Sequence, residues 1–216
     1  MVAGLRGRRL ELGAGVTFLV GENGSGKSTL VEAIAVAAGL NAEGGSRHFQ
    51  FATRPTESSL GGSLRLGRAP GKERTSFFLR AESYYNVATE IEDRGLDLAP
   101  YGGVSPHERS HGQSFLDLLT HRFGPRGLYL LDEPEAALST NGQLAALARI
   151  QELTVQGSQF LIATHSPILL ALPGARILEI GDDGGLHTVA YDDALPVRAT
   201  RDFLADPDRI LRHLLG

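Results

Sequence analysis

The 216-residue chain is predicted to be α/β: a mostly parallel central sheet flanked by helices, with a small antiparallel β part and a short helical insert. Three observations predict this. Short, mostly apolar runs of strand formers, such as VTFLV and LYLL, read as strands buried on both faces. Segments with helical apolar spacing lie between them. Two strand-like segments flank the turn sequence DDGG, which reads as a hairpin.

The elements follow in order. Residues 16–20 (VTFLV) are strand formers and stop at Gly21. Residues 28–39 (STLVEAIAVAAG) predict a helix with a glycine stop. Residues 41–71 are rich in Gly, Ser, Thr and Arg, with weak strand alternation in SLRLG. Residues 75–80 (TSFFLR) predict a strand, and residues 83–107 predict short helices and loops. Residues 128–131 (LYLL) predict a strand that runs into two acids. In residues 141–156, Leu144, Leu147, Ile150 and Leu153 recur at helical spacing. Residues 159–164 (QFLIAT) predict a strand, residues 176–180 and 186–191 the hairpin, and residues 200–215 a terminal helix.

Composition excludes several classes. The chain has no cysteine, so disulfides, thiolate metal sites and thiol nucleophiles are out. A formal charge of -4 does not advertise a polyanionic partner. The start, MVAGLRGRRLELG, lacks the apolar core of a signal peptide. No uncharged apolar run approaches the roughly 20 residues of a membrane span. The expectation is a cytoplasmic protein without a transmembrane segment.

Three motifs carry chemistry. GENGSGKST, Gly21–Thr29, fits G-x-x-x-x-G-K-[ST] between a predicted strand and a predicted helix. Gly21, Gly24 and Gly26 let the backbone turn tightly and approach phosphate oxygens. The N–H groups of the loop, through Glu22, Asn23 and Ser25 to the helix start at Ser28 and Thr29, form an anion cradle. Lys27 can reach β- and γ-phosphates, and the Ser28 hydroxyl can ligate Mg²⁺. A ligand-free glycine turn is the plainer alternative, and the flanking strand and helix weigh against it. In LYLLDEPE, Asp132 and Glu133 end a strand, where Asp132 would face magnesium directly or through water and Glu133 would orient or deprotonate the attacking water. Alone, the two acids could equally start a helix. In ATHSP, His165 leaves the next strand at the same edge and can contact a γ-phosphate or the attacking water. The other histidines form no metal-ligand spacing.

In this order the motifs resemble those of the ABC-type ATPases, a branch of the P-loop NTPases, over nearly the whole chain. GENGSGKST resembles Walker A, LYLLDEPE resembles Walker B with its catalytic Glu, and ATHSP resembles the switch-histidine loop. SHGQS, residues 110–114, falls where the family carries its LSGGQ-like signature. FFLRAES, YGGVSPHERSHGQSF and LLDEPEAALS resemble more closely a compact bacterial group of predicted ATPases. The resemblance implies a P-loop NTPase fold, with one ABC-type ATPase domain over residues 1–216 and a short helical and signature subdomain at about residues 84–125. It implies ATP and Mg²⁺ as ligands, hydrolysis to ADP and phosphate, and Lys27, Glu133 and His165 as catalytic residues. Ser28, Asp132 and Glu82 would serve the metal, Glu82 standing where the family's Q-loop carries Gln. Ser110, Gly112 and Gln113 would reach the γ-phosphate of a second subunit's ATP across a head-to-tail dimer. The plainer reading of SHGQS is a helix N-cap by Ser110 or Ser114. His111 replaces the family's Gly, Ser139 stands where the D-loop ends in Asp, and residues 1–15 lack an adenine-stacking aromatic.

The partner stays open at this level. Only residues 84–109 separate the Q-loop region from SHGQS, where transporter ATPases usually carry a longer helical subdomain. No sustained heptads suggest the coiled coils of SMC-like or repair ATPases. Residues 44–80 hold six Arg and one Lys against Glu57 and Glu73, a composition that could serve a nucleic-acid backbone. Solvated loops are the plainer reading, and some of these arginines could reach ATP itself. The alternatives to a stand-alone dimeric ATPase are therefore a transporter ATPase component, an ATP-gated nucleic-acid clamp, and a nucleotide-gated scaffold without turnover.

Overall fold

The computed structural model describes residues 9–46, 60–67, 73–81 and 84–215. The strands are β1 Val16–Val20, β2 Thr75–Arg80, β3 Gly127–Asp132, β4 Gln159–Ala163, β5 Arg176–Ile180 and β6 Leu186–Val189. They form one sheet in the order β2-β3-β4-β1-β5-β6. All pairings are parallel except the β5–β6 hairpin at one edge. The other edge, β2, is partly covered by Gly45, whose N–H and C=O both pair with Phe78.

The helices are α1 Lys27–Ala37, α2 Tyr84–Asp93, α3 His111–Asp117, α4 Thr140–Val155, α5 Pro167–Leu170, α6 Leu195–Ala205 and α7 Pro207–Leu215. Alternating strand residues face two apolar clusters. Leu19, Phe78, Leu130 and Leu161 pack with Leu30, Val31 and Ile34 of α1. Phe18, Phe77, Tyr129, Phe160 and Ile162 pack on the opposite side with α2, α3 and α4. Each large side chain buried this way contributes about 1.5–3 kcal/mol. Helix α1 stops as its glycine predicts: Gly39 takes φ 81°, its N–H bonds to Val36, and the Leu40 N–H bonds to Ala35.

Arg149 of α4 clasps the segment that follows α3. Its guanidinium donates to the carbonyls of Leu119 (3.1 Å), Thr120 (3.3 Å) and Phe123 (3.1 Å), where the helix loosens into a π turn over Leu118–Arg122. Nearby, the Phe123 and Tyr129 rings stack at 4.0 Å. The Tyr129 hydroxyl donates to the Gly124 carbonyl (2.8 Å) and accepts from its N–H (2.7 Å). Gly127 is glycine for room: a Cβ there would lie 2.2 Å from the Tyr129 hydroxyl.

Four expectations need correction or fall outside the described residues. SLRLG, residues 63–67, forms part of a 3₁₀ turn and then extended chain outside the sheet. Leu144 is 52% exposed, because α4 buries Gly142, Ala146, Ile150 and Leu153, and Leu144 points away from that face. The terminal helix is two helices: Pro207 removes a donor and forces Asp206 out of helical geometry (φ -154°, ψ 75°). Of the basic segment, Arg47, Arg54, Arg68 and Lys72 lie outside the described residues, as does Glu82.

Burial raises the pKa of the Tyr84, Tyr101 and Tyr129 hydroxyls above the ordinary value of 10.0. A raised folded value means stability that is fully present below pH 10 and lost as pH climbs past it. Tyr129→Phe should lose about 1–2 kcal/mol at pH 8 through its missing hydrogen bonds. It should also decline less steeply than the parent between pH 8 and pH 11, followed by urea midpoints. An equally steep decline would contradict burial of Tyr129 as a cause.

Candidate functional site

Strand register builds the site. Leu178, Leu19, Ala163, Asp132 and Arg80 form one row across five strands. Just beyond that row the chain leaves every strand at the same edge. Gly21 follows β1, Glu133 follows β3, Thr164 and His165 follow β4, and Ala81 follows β2. Backbone hydrogen bonds knit the exits: Glu133 N–H to Ala163 O (3.0 Å), Thr164 N–H to Leu19 O (3.1 Å), and Ala81 N–H to Asp132 O (3.2 Å).

After β1 the loop folds round a lysine. Lys27 is only 4% exposed, and its ammonium donates to the carbonyls of Gly21 (2.9 Å) and Glu22 (3.1 Å). Burial holds its pKa below the ordinary lysine value, a shift the carboxylates of Glu133, Asp132, Glu22 and Glu135 only partly offset. Gly26 heads α1 in left-handed geometry, φ 99°, with no side chain capping the helix. At Gly21 a Cβ would crowd Ser25 Oγ at 3.0 Å and the Ile180 carbonyl at 3.2 Å. Glu22, Asn23, Gly24 and Thr29 are exposed around this core.

Behind the loop stands Asp132, which is buried. Ser28 Oγ donates to its Oδ1 at 3.0 Å, and Arg80 Nε lies 3.2 Å from its Oδ2. Glu133 adopts the left-handed conformation, φ 50° and ψ 52°, at the head of a 3₁₀ turn over Pro134–Ala137. Its carboxylate lies 3.8 Å from His165 Nε2. The His165 N–H donates to Glu135 Oε1 at 2.5 Å.

Ser25 Oγ, Glu135 Oε2 and His165 Nε2 are buried here with no hydrogen-bond partner among the described residues, and buried Arg80 Nε meets Asp132 as an ion pair without a hydrogen bond; Thr17 Oγ1 and Thr154 Oγ1 are such atoms elsewhere. Buried polar atoms are normally paired, so this concentration fits a site built for a polar ligand. The donor set suits a nucleotide with Mg²⁺: an anion cradle, a lysine, and the hard oxygens of Ser28 and Asp132. No group of three or more His, Asp or Glu that could hold a metal alone occurs among the described residues. A cation here would therefore share phosphate and water oxygens, as magnesium commonly does.

Ser110 caps α3. Its Oγ accepts from Gln113 N–H (3.4 Å), while Gln113 Oε1 accepts from Ser110 N–H (3.3 Å), a reciprocal capping box. Ser114 is buried instead. Gly112 packs so closely on the turn after Glu133 that a Cβ would lie 2.9 Å from the Ala137 carbonyl. Ser139, at the end of the same turn, caps α4 through Gly142 N–H (3.2 Å). One cleft of about 920 Å³ runs from Ser28, Arg80 and Asp132 past Glu133 to Ser110, Gly112 and Gln113.

The structure thus brings Lys27, Ser28, Asp132, Glu133 and His165 to one sheet edge, with the SHGQS segment at the far end of the same cleft. Sequence reasoning missed Arg80 and Glu135 as members of the site. Arg80 was visible as a cation ending an apolar strand, and Glu135 as the third acid of DEPE, but only the register and the His165 hydrogen bond give them partners.

A protein-family model described as an AAA domain matches residues 2–94. The chain is 29% identical over 183 residues to the cytochrome c biogenesis ATP-binding export protein CcmA 1 of Salmonella paratyphi A, covering 78% of this chain and 85% of that one. The CcmA protein of Rhodospirillum rubrum is 27% identical over 182 residues, covering 77% of this chain and 74% of its own. Among solved structures, the SMC head domain from Thermotoga maritima aligns with 83% of this chain and 91% of that one, at 15% identity and a TM-score of 0.43. The phosphate-loop motif between β1 and α1 and the mostly parallel sheet give the chain a P-loop NTPase fold, and its similarity to the curated relatives supports an ABC-like P-loop ATPase.

Proposed function

We propose that the protein binds ATP with Mg²⁺ and hydrolyses it to ADP and phosphate, two copies closing head-to-tail over the nucleotides to drive or gate a partner. The observation that carries this reading is the convergence of Lys27, the Ser28–Asp132 pair and the Glu133–His165 pair at one sheet edge. The loop N–H groups and Lys27 would hold the β- and γ-phosphates, and the polyphosphate would return to Lys27 the counter-charge that burial withholds. Ser28 and Asp132 would hold the magnesium, which when bound supplies neutralisation of the phosphate charge. Glu133 would take a proton from a water as its oxygen bonds to the γ-phosphorus and the bond to the bridging β–γ oxygen breaks. His165, 3.8 Å from Glu133, would orient that water or the γ-phosphate.

Ser110 and Gln113 commit their side chains and N–H groups to the capping box, so within this segment the Gly112 N–H would approach the second copy's ATP. A second reading, the ATPase component of a membrane transporter, is favoured by one observation: the curated relatives are described as ATP-binding export proteins. No helix among the described residues is long and apolar enough to cross a membrane, so that reading places the membrane-spanning part outside them. Copurification of a membrane subunit would select it.

Light scattering on Glu133→Gln should give one chain without Mg-ATP and two with it. A mass that stays at one chain would refute the closed pair of identical copies. Lys27→Ala should weaken ATP binding by about a hundredfold, since a charge-assisted phosphate contact is lost. Calorimetric affinity equal to the parent's would refute the phosphate-loop assignment. The left-handed Glu133 stores strain that a non-glycine residue tolerates at a cost of about 1 kcal/mol. Asn accepts that conformation more readily. Glu133→Asn should therefore melt higher than the parent while releasing no phosphate, and a lower melting point would contradict the strain.

A further inference from the structure

We propose that Arg80 is a positioning residue for magnesium: its guanidinium holds the Asp132 oxygen that the cation must take, so Mg²⁺ enters by exchange with Arg80. The inference rests on the reading of the site as one for ATP and magnesium. Arg80 and Asp132 are the last residues of neighbouring parallel strands and stand opposite each other in register. Both Asp132 oxygens are engaged, Oδ1 by Ser28 at 3.0 Å and Oδ2 by Arg80 at 3.2 Å. The other end of the guanidinium pairs with Glu32 Oε2 at 3.4 Å. Glu32 sits one helical turn after Ser28 on α1, so Arg80 ties the phosphate-loop helix to the strand bearing Asp132.

The chemistry follows from charge. The Asp132 side chain is 4% exposed, and a buried carboxylate needs a counter-ion. Arginine is a permanent one. Glu22, Glu32, Asp132, Glu133 and Glu135 cluster here against Lys27 and Arg80. Such an edge repels a bare polyphosphate and attracts a divalent cation. Each Asp132 oxygen keeps a second lone pair, but a cation entering here meets the positive guanidinium beside Oδ2. Ser28 can keep its place as a fellow ligand through its oxygen. Arg80 has no lone pair to offer a metal and must withdraw. It lines the cleft, so it has somewhere to go.

The test is a magnesium titration of the full chain with mant-ATP, an ATP carrying a fluorophore on its ribose, comparing the parent with Arg80→Met and Arg80→Gln. Binding is read by fluorescence, independent of turnover. Half-saturating Mg²⁺ should fall about fivefold in both variants, as expected when one competing charge pair is removed. Melting without nucleotide reports whether each variant is folded. Arg80→Gln keeps hydrogen-bond donors toward Asp132 and Glu32 and serves if the Met variant does not fold. An unchanged or higher magnesium requirement in the folded variants overturns the assignment and leaves Arg80 as a structural ion pair. If the parent binds no mant-ATP at any magnesium concentration, the ATP reading itself fails, and this inference with it.

Discussion

The site depends first on backbone register. A single row of residues, from Leu178 through Leu19, Ala163 and Asp132 to Arg80, lies across the parallel part of the sheet. Everything with chemistry is attached within a few residues of that row. A slip of one residue between β3 and β4 would carry Asp132 to the other face of the sheet and part it from Ser28. Such slips are opposed by the apolar side chains above and below, because each strand buries alternate residues in two separate clusters. The packing of Phe18 against one layer and Leu19 against the other is thus what keeps a carboxylate and a lysine in place several residues away.

The edge so defined contrasts with the core behind it. In the core most buried polar groups are paired, Thr17 Oγ1 and Thr154 Oγ1 excepted: the Tyr129 hydroxyl bonds twice to Gly124, and Ser158 bonds to the Gly127 N–H and the Gly124 carbonyl. At the edge, a lysine is desolvated, a glutamate is held in left-handed geometry, and buried atoms of Ser25, Glu135 and His165 are unpaired among the described residues. Folding alone would select against each of these. Their proximity at one edge fits a fold that gives up stability there for a charged, oxygen-rich ligand.

How much of this was legible in the sequence follows the range of the forces involved. The strands were readable because their mostly apolar runs are local, and β2 and β5 begin and end where the pattern predicts. The stop of α1 was readable because Gly39 acts on its own backbone. The break at Pro207 is equally local, although the expectation of one helix over residues 200–215 runs across it. Which leucines of α4 are buried was not local: Leu144 repeats correctly but lies off the face that the sheet offers. At the site, the phosphate loop and the acid pair announced themselves by spacing. The reach of Arg80 to Asp132 and of Glu135 to His165 depends on pairings between segments far apart in the chain, and no spacing rule contains them.

One contact in the insert bears on how a distant event would be felt. The tip of the α3 segment rests on the turn after Glu133 at Gly112, with no room for a side chain between them. Its other end is gripped by Arg149, which takes three carbonyls at once. A segment seated at its tip and clamped at its base cannot rock freely; it behaves as a pushrod. Pressure from a docked body on its outer face would travel along it and arrive at Ala137, three residues from the end of the Glu133–Pro134 step. Traffic would run the other way as well, with any relaxation of the glutamate's backbone lifting the tip and changing the face shown to whatever sits there.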